Sequence, residues 1–308
     1  MTVFTRRAWI GAASSAFALA SVAGASAPTD RLVLLGTMGG PTPSARRAMT
    51  SQLLVIAGAH YLVDCGPGTI TRLAAAQVAA NALDAIFVTH LHDDHIGDLG
   101  ALLVIAWTMG LARPIDVYGP PPIARTVALL LQAFASDIDA RRREIARPAP
   151  ADLIRVHERS DDGVFLRDDG VSGAAARVDH GEMAPAFGFR FESSERTVAL
   201  SGDTRAVPAL RHLTADADLF VAEAMYLPAV VRRLRNQPGA VHFEALLRRI
   251  HMTAEEAGLV AAQAHVRTLV LSHLVPGDDV AITDAQWRAA AHTHFQGRVV
   301  VGHDLLTL

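Results

Sequence analysis

The sequence of 308 residues contains no lysine, and all 28 of its basic residues are arginine. Schiff-base chemistry and a lysine grip on phosphate are thereby excluded. Its single cysteine, Cys65, rules out an intramolecular disulfide and a thiolate metal cluster within one chain. Apolar runs beyond residue 27 are short and interrupted, so none is a candidate to cross a membrane. Apolar content itself is high at 51%, enough to bury the core of one large α/β domain or two small ones and to exclude disorder. Histidine, with 14 copies, is the more informative count.

Residues 1–27 read as a targeting segment. Arg6-Arg7 precedes a moderately apolar stretch over residues 8–20, and Ala25-Ser26-Ala27 offers a small-residue cleavage site. Thr5-Arg6-Arg7-Ala8-Trp9-Ile10 resembles a twin-arginine export signal, which implies a mature chain beginning near Pro28 in the periplasm or outside the cell. A membrane anchor is the alternative, but the stretch is shorter than the ~20 residues a span needs and is diluted by Gly11, Ser14 and Ser15. Loss of the segment removes two arginines and no acid, so the formal charge moves from −3 to −5. A mildly acidic chain lacks the basic surface on which non-specific nucleic-acid binding depends. The clusters Arg141-Arg142-Arg143 and Arg232-Arg233 with Arg235 read as solvated helix faces.

Beyond the leader, periodicity and composition predict strands over residues 31–35, 53–56 and 61–63, a helix over 69–80, and a strand over 85–88 that feeds into a histidine-rich run. Helices over 99–109 and 123–134 flank a strand over 115–118, and the charged, proline-containing stretch 141–150 reads as a surface crossing. The second half gives strands over 153–157, 163–166, 175–178, 187–191 and 197–200. Helices over 208–213, 228–235 and 254–265 then alternate with strands over 219–221, 268–271 and 298–301. Strand groups and helices repeated in both halves predict two sheets packed face to face with helices outside, in one domain over residues 28–308.

His90-x-His92-x-Asp94-His95 follows an apolar strand, and Gly97 and Gly100 leave the chain beyond it free to turn. Three imidazoles and a carboxylate within six residues at a strand end can point into one cavity. That donor set suits zinc and would also accept iron or manganese. Four ligands do not fill two metal sites, so others must lie downstream.

Leu35-Gly36-Thr37-Met38-Gly39-Gly40, Val63-Asp64-Cys65-Gly66, the histidine run, Val178-Asp179-His180, Ala199-Leu200-Ser201-Gly202-Asp203-Thr204 and Leu271-Ser272-His273-Leu274 follow in that order. In these motifs the chain, over residues 31–308, resembles the metallo-β-lactamase superfamily, and within it the ribonuclease Z and arylsulfatase-like branch. The resemblance implies an α/β fold, the αββα sandwich of two mixed β-sheets with helices outside. It implies one metal held by His90, His92 and His180, a second held by Asp94, His95 and His273, and Asp203 bridging them. The cofactors expected are thus two divalent ions, zinc by their ligands, which at about 3.5–4 Å apart share a hydroxide at neutral pH. His251-Met252-Thr253 is similar to the branch's His-x-Thr element, whose histidine assists catalysis. Glu223, in Ala222-Glu223-Ala224-Met225, matches the glutamate of its His-Glu-Ala-Thr element, with Ala222 and Met225 replacing the histidine and threonine. Asp94, Glu223 and His251 are the candidate catalytic residues. Thr253 with Glu256 also reads as a capping box. Asp64 either orients a ligand histidine or ties its loop, Cys65 reads as a packing residue, and His242 draws interest only by its nearness to His251 in sequence.

The expectation from these readings is an exported two-metal hydrolase that cleaves a small anionic ester, a phosphodiester or an aryl sulfate, by attack of the bridging hydroxide. A lactonase or β-lactam hydrolase on the same metals is the alternative, its β-lactam version weakened by Asp203. A non-catalytic, metal-stabilised module would lack some ligands, yet all seven positions are filled. Transfer-RNA processing is disfavoured by the export signal, the acidic charge and the lack of a basic Gly/Pro-rich arm. The partners expected are therefore a small-molecule substrate and no nucleic acid, with no membrane anchor after leader removal and a homodimer compatible with the sequence.

Overall fold

The computed structural model describes residues 30–308 except positions 112, 146 and 169, so the leader expected over residues 1–27 lies outside the described residues. In chain order the strands of the first half are β1 (Arg31–Gly36), β2 (Ser51–Ile56), β3 (Ala59–Val63), β4 (Ala85–Phe87), β5 (Ile115–Gly119) and β6 (Ile154–Glu158). The second half adds β7 (Gly163–Asp168), β8 (Val171–Val178), β9 (Ala186–Glu192), β10 (Thr197–Leu200), β11 (Leu219–Met225), β12 (Thr268–Val275), β13 (Arg298–Val301) and β14 (Leu306–Thr307). They form two seven-stranded sheets, ordered β14-β1-β2-β3-β4-β5-β6 and β13-β12-β11-β10-β9-β8-β7. Both sheets are mixed. The first is antiparallel from β14 to β3 and parallel from β3 to β6, and the second is parallel from β13 to β10 and antiparallel from β10 to β7.

The packing follows from which phase of each strand is apolar. Leu32, Leu34, Leu54, Ile56, Tyr61 and Val63 face the opposite sheet and meet Phe187, Phe189, Phe191, Val198 and Leu200. Val33, Leu35, Leu53, Val55 and Leu62 point the other way, into a core shared with Leu99, Leu102, Leu103 and Ala106 of the helix Leu99–Thr108. Strands covered on both faces carry apolar side chains at both phases of their period of two, which is why they read as continuous runs. On the outer face of the second sheet the helix Ala254–Gln263 buries Ala254, Ala257, Val260 and Ala261, one stripe at helical spacing. An aromatic cluster fills the space between the sheets, where the Phe87 ring lies 4.9–5.9 Å from those of Tyr61, Tyr118, Phe165, Phe189 and Phe191.

At one end of the sandwich the inward phase turns polar. Thr89 lies two residues beyond Phe87, Glu223 two beyond Val221, Ser272 two beyond Val270, and all are buried. This layer floors the site described below.

The stretch 141–150 is only partly the surface crossing expected from its charge and prolines, and its three arginines lie on a helix as their reading as a solvated helix face implied. Helix Ala135–Ile145 runs through its first half, with Arg141 donating to Asp137 one turn back at 3.0 Å, and the chain leaves the helix only before Pro148 and Pro150. Helices Ala240–Ile250 and Asp284–Ala291 also went unread. The former fully buries no side chain, and its Val241, Phe243 and Leu246 are exposed, so only Ala240 and Leu247 pack it against the core. Among the described residues no helix is long and apolar enough to cross a membrane.

Candidate metal centre

The histidine run leaves β4 and closes into the short helix Asp93–Ile96, with His92 at its N-cap. Asp64, just past β3, is the hub that fixes its geometry. Its carboxylate accepts from the Thr89 backbone N–H at 2.8 Å, from the Thr89 hydroxyl at 2.9 Å and from His95 Nδ1 at 2.8 Å. Because the Thr89 hydroxyl proton goes to Asp64, its oxygen is left to accept from His90 Nδ1, 3.0 Å away. One buried carboxylate therefore sets the tautomer of two histidines and turns both Nε2 atoms inward. Asp64 holds φ at 58°, a backbone conformation that strains a non-glycine residue and is tolerated where surrounding contacts over-determine it. Asp64→Ala is expected to weaken zinc binding by roughly 10- to 100-fold, measured by chelator competition. An unchanged affinity would show that His90 and His95 need no orienting partner.

The second half delivers its residues from four separate strands. His180 follows β8, and its Nδ1 donates to the Ile250 carbonyl at 2.9 Å, so Nε2 again faces inward. Asp203 follows β10 and is 3% exposed. In the pairing of β11 with β12, Glu223 faces Ser272 but Ala224 faces Leu274, so His273 is an extra residue in the ladder. This bulge, with φ of 43° at His273, re-aims a side chain that strict alternation would send outward under the helices. The glycines of the 36–40 loop make room for it. A Cβ on Gly39 would lie 2.8 Å from the His273 ring, and one on Gly40 would overlap the Asp94 carboxylate that its N–H contacts at 2.8 Å.

The expected ligands meet in two groups. His90, His92 and His180 offer nitrogens within 4.8 Å of one another, as do the donor atoms of Asp94, His95, Asp203 and His273. Asp203 lies between them: its oxygens are 3.4 Å from His95 Nε2 and 3.1 Å from His273 Nε2 on one side, and 3.9 Å from His90 and His180 Nε2 on the other. The residues fit a metal on the chemistry of their donors. His92 Nδ1 sits 3.0 Å from His90 Nε2 and 3.2 Å from His180 Nε2, three ring nitrogens aimed at a common point, and His95 Nε2 is buried without a hydrogen-bond partner. Burial pushes His90 well down and His92 down, which keeps them neutral with a lone pair to give. Burial also pulls on His273, but the Asp203 charge and hydrogen bonds to Asp203 and Asp94 outweigh it and raise the group to about 10. Burial likewise disfavours charge on His95, yet Asp203 and Asp64 raise it well above its ordinary value. Without an ion, protons on these imidazoles meet the carboxylates' demand for positive charge.

His251 lies between two helices. It caps the end of helix Ala240–Ile250, while Thr253 starts the next helix through the anticipated capping box with Glu256. The Met225 backbone N–H donates to the Met252 carbonyl at 2.8 Å, and that tie sets His251 against Glu223, with Nδ1 2.7 Å from Oε2. The other Glu223 oxygen accepts from the Thr204 N–H. Cys65 packs in the core of the first sheet, and His242 is exposed and outside both ligand groups. Thr89, the Ile250 carbonyl and Thr204 are functional contacts that sequence reading missed, because two act through the backbone and the third through a common hydroxyl.

Sandwich and donor set together define a metal-dependent hydrolase. The family model of the beta-lactamase superfamily domain matches residues 60–274. A ribonuclease Z of Mycobacterium marinum is 40% identical over 285 residues, covering 89% of this chain and 96% of the relative. Among solved structures, the metallo-beta-lactamase fold protein YhfI of Bacillus subtilis matches with a TM-score of 0.67 at 21% identity, over 91% of this chain and 98% of that one. The short form of human tRNase Z matches with a TM-score of 0.64 at 22% identity, over 90% of this chain and 98% of that one. The chain belongs to the beta-lactamase superfamily, in the family of ribonuclease Z. That finding corrects two expectations. A small anionic ester, aryl sulfate or lactone is not what relatives at this identity are named for, and the expected absence of a nucleic-acid partner conflicts with a ribonuclease family. Formal charge misled because it counts acids that are not surface charge: Asp64, Asp94, Asp203 and Glu223 are buried in the site, and Asp278 and Asp279 are paired with Arg233 and Arg232.

Proposed function

We propose that the chain is a ribonuclease Z-type nuclease that hydrolyses a phosphodiester bond of RNA, transfer RNA in particular. The observation that carries this reading is the His251–Glu223 pair, 2.7 Å apart, beside two ligand groups that meet at Asp203, in a chain 40% identical to a ribonuclease Z. His90, His92 and His180 would hold one ion and Asp94, His95 and His273 the other, with Asp203 placed between the two groups; the donors suit zinc. When bound, two such ions supply a nucleophile at neutral pH and offset charge on the phosphoryl oxygens. Asp94 orients the attacking water. His251, held by Glu223 at Nδ1, gives the proton on Nε2 to the leaving oxygen, which the ions cannot provide. The shortened Ala222-Glu223-Ala224-Met225 element still serves, because Glu223 alone makes the contact to His251. A test presents the zinc-loaded chain with precursor transfer RNA, an aryl sulfate and a homoserine lactone. RNA alone should be cleaved; turnover of either small ester with intact RNA would refute the reading.

A twin-arginine-type leader over residues 1–27, with residues 28–308 as the exported hydrolase domain, is a separate proposal supported by the Arg6-Arg7 pair and the Ala25-Ser26-Ala27 site. Replacing Arg6 and Arg7 together with lysine should block export, since the pair is read by a receptor and not by charge. Normal export of the double variant would mark an ordinary secretory signal, and retention of the wild type in the cytoplasm would remove the leader altogether.

A further inference from the structure

Beside the metal centre, helices Leu227–Leu234 and Ala240–Ile250 pair as a hairpin. Leu234, Ala240 and Leu247 cluster with Met225 and Val275, the last residues of β11 and β12, so the hairpin is fastened to the strands that carry Glu223 and His273. Its outer surface differs from the rest of the chain. Residues 227–250 hold five arginines against the one acid Glu244, in a chain whose formal charge is −3. Arg232 and Arg233 are taken by Asp279 and Asp278, and Arg248 by Glu244, but Arg235 and Arg249 are exposed and pair with no acid among the described residues. Phe243 is 47% exposed, and among the described residues no other Phe, Tyr or Trp is exposed. With Leu234, His242 and Leu246 it lines a groove of about 430 Å³. Basic residues in a helix's last turn suit its dipole unaided, yet that preference does not account for a phenylalanine left in solvent.

We propose that this hairpin grips the unpaired RNA strand on the leaving-oxygen side of the cut, with a base stacked on Phe243 and phosphates held by Arg249 and Arg235. The inference rests on the RNA substrate and the position of His251 at the leaving oxygen proposed above. His251 ends helix Ala240–Ile250, so at about 1.5 Å per residue Arg249 and Phe243 lie roughly 3 and 12 Å back from it along the axis. A strand running outward from His251 along this helix meets first a guanidinium and then an aromatic face, the two groups that hold single-stranded nucleic acid whatever its sequence. The basic rim also favours RNA over a second copy of the chain, whose identical arginines would face these across a twofold contact. Selection thus falls on substrates long enough to reach from His251 to Phe243, which small esters are not.

The test follows single-turnover cleavage of precursor transfer RNA by the zinc-loaded full chain at rising enzyme and salt concentrations, beside hydrolysis of bis-(p-nitrophenyl) phosphate. Phe243→Ala is expected to raise the half-saturating enzyme concentration about 10-fold or more, the loss of one base–aromatic stack, with the limiting rate kept. Abasic residues in the unpaired strand on the leaving-oxygen side should reproduce that loss and not add to it. Arg235→Gln combined with Arg249→Gln should flatten the logarithmic salt dependence by roughly 0.7 for each phosphate contact removed, whereas Phe243→Ala leaves the slope alone. Turnover of the small phosphodiester reads the centre itself and should match wild type. A half-saturating concentration unchanged by Phe243→Ala, sensitivity to abasic residues only on the other side of the cut, or an unchanged salt slope in the arginine variant would overturn the proposal. So would matching losses on both substrates, which would make the hairpin a prop of the centre, and a wild-type dimer that Phe243→Ala dissociates, which would give the face to a second copy. A wild type that turns over the small ester and leaves RNA intact would bring down the RNA reading itself, and this inference with it.

Discussion

His251→Ala is expected to lower the rate of RNA cleavage by about 10²- to 10⁴-fold while both tight metals stay bound, because general acid catalysis contributes on that order. The loss should be far smaller with a nitrophenolate leaving group. A uniform loss across leaving groups would make His251 a substrate-binding residue, and loss of metal would make it a ligand. The pH dependence carries the same signature. Burial disfavours the charged ring, but the Glu223 carboxylate and its hydrogen bond outweigh burial and raise His251 above its ordinary value. The donor is therefore competent below that raised value, and the rate falls as pH rises through it. Glu223→Gln removes the stabilising charge and leaves burial dominant, so the alkaline limb should move to lower pH. A limb that stays in place would separate Glu223 from the proton.

Asp203→Asn is expected to reduce bound zinc from near two per chain to near one, with cleavage falling to background. Asp203 is held well below the usual carboxylate range because, although burial raises it, the charges of His273 and His95 and a hydrogen bond from His273 pull it down further. It is thus a full negative charge 3.1 Å from one ligand group and 3.9 Å from the other. The amide keeps the shape and forfeits the charge that lets two cations sit side by side. Retention of two tightly bound ions in the variant would contradict a bridging role, and a wild type that never exceeds one ion would contradict the pair.

The part of this centre legible in the sequence is the part carried by side chains on strand ends. His90, His92, Asp94 and His95 lie within six residues, so their convergence needed only one turn of loop. His180, Asp203 and His273 were reached through the family resemblance that their short motifs carry, and the geometry brings all seven together. The device that aims His273 was not legible: a one-residue bulge leaves no mark in a run where both strand phases are buried. Nor was the end of helix Ala240–Ile250, which supplies the carbonyl on His180 and then His251 itself, since Val241, Phe243 and Leu246 of that helix face solvent and none of its side chains is fully buried. The αββα architecture came through because strands and helices alternate with clear breaks, whereas in segment 141–145 the arginines read as a solvated helix face but the prolines beyond them made the whole stretch read as a surface crossing. The partner was misjudged for a reason of the same kind. A formal charge is a sum over the chain, while Asp64, Asp94, Asp203 and Glu223 are buried and add nothing to the surface a partner meets.

The most direct measurement is single-turnover cleavage of a precursor transfer RNA by the metal-free chain as zinc is added in steps. A cut at one position, with a rate that climbs until two equivalents are bound, is the expected result. Intact RNA at every zinc loading, from protein shown to hold two ions, would contradict it.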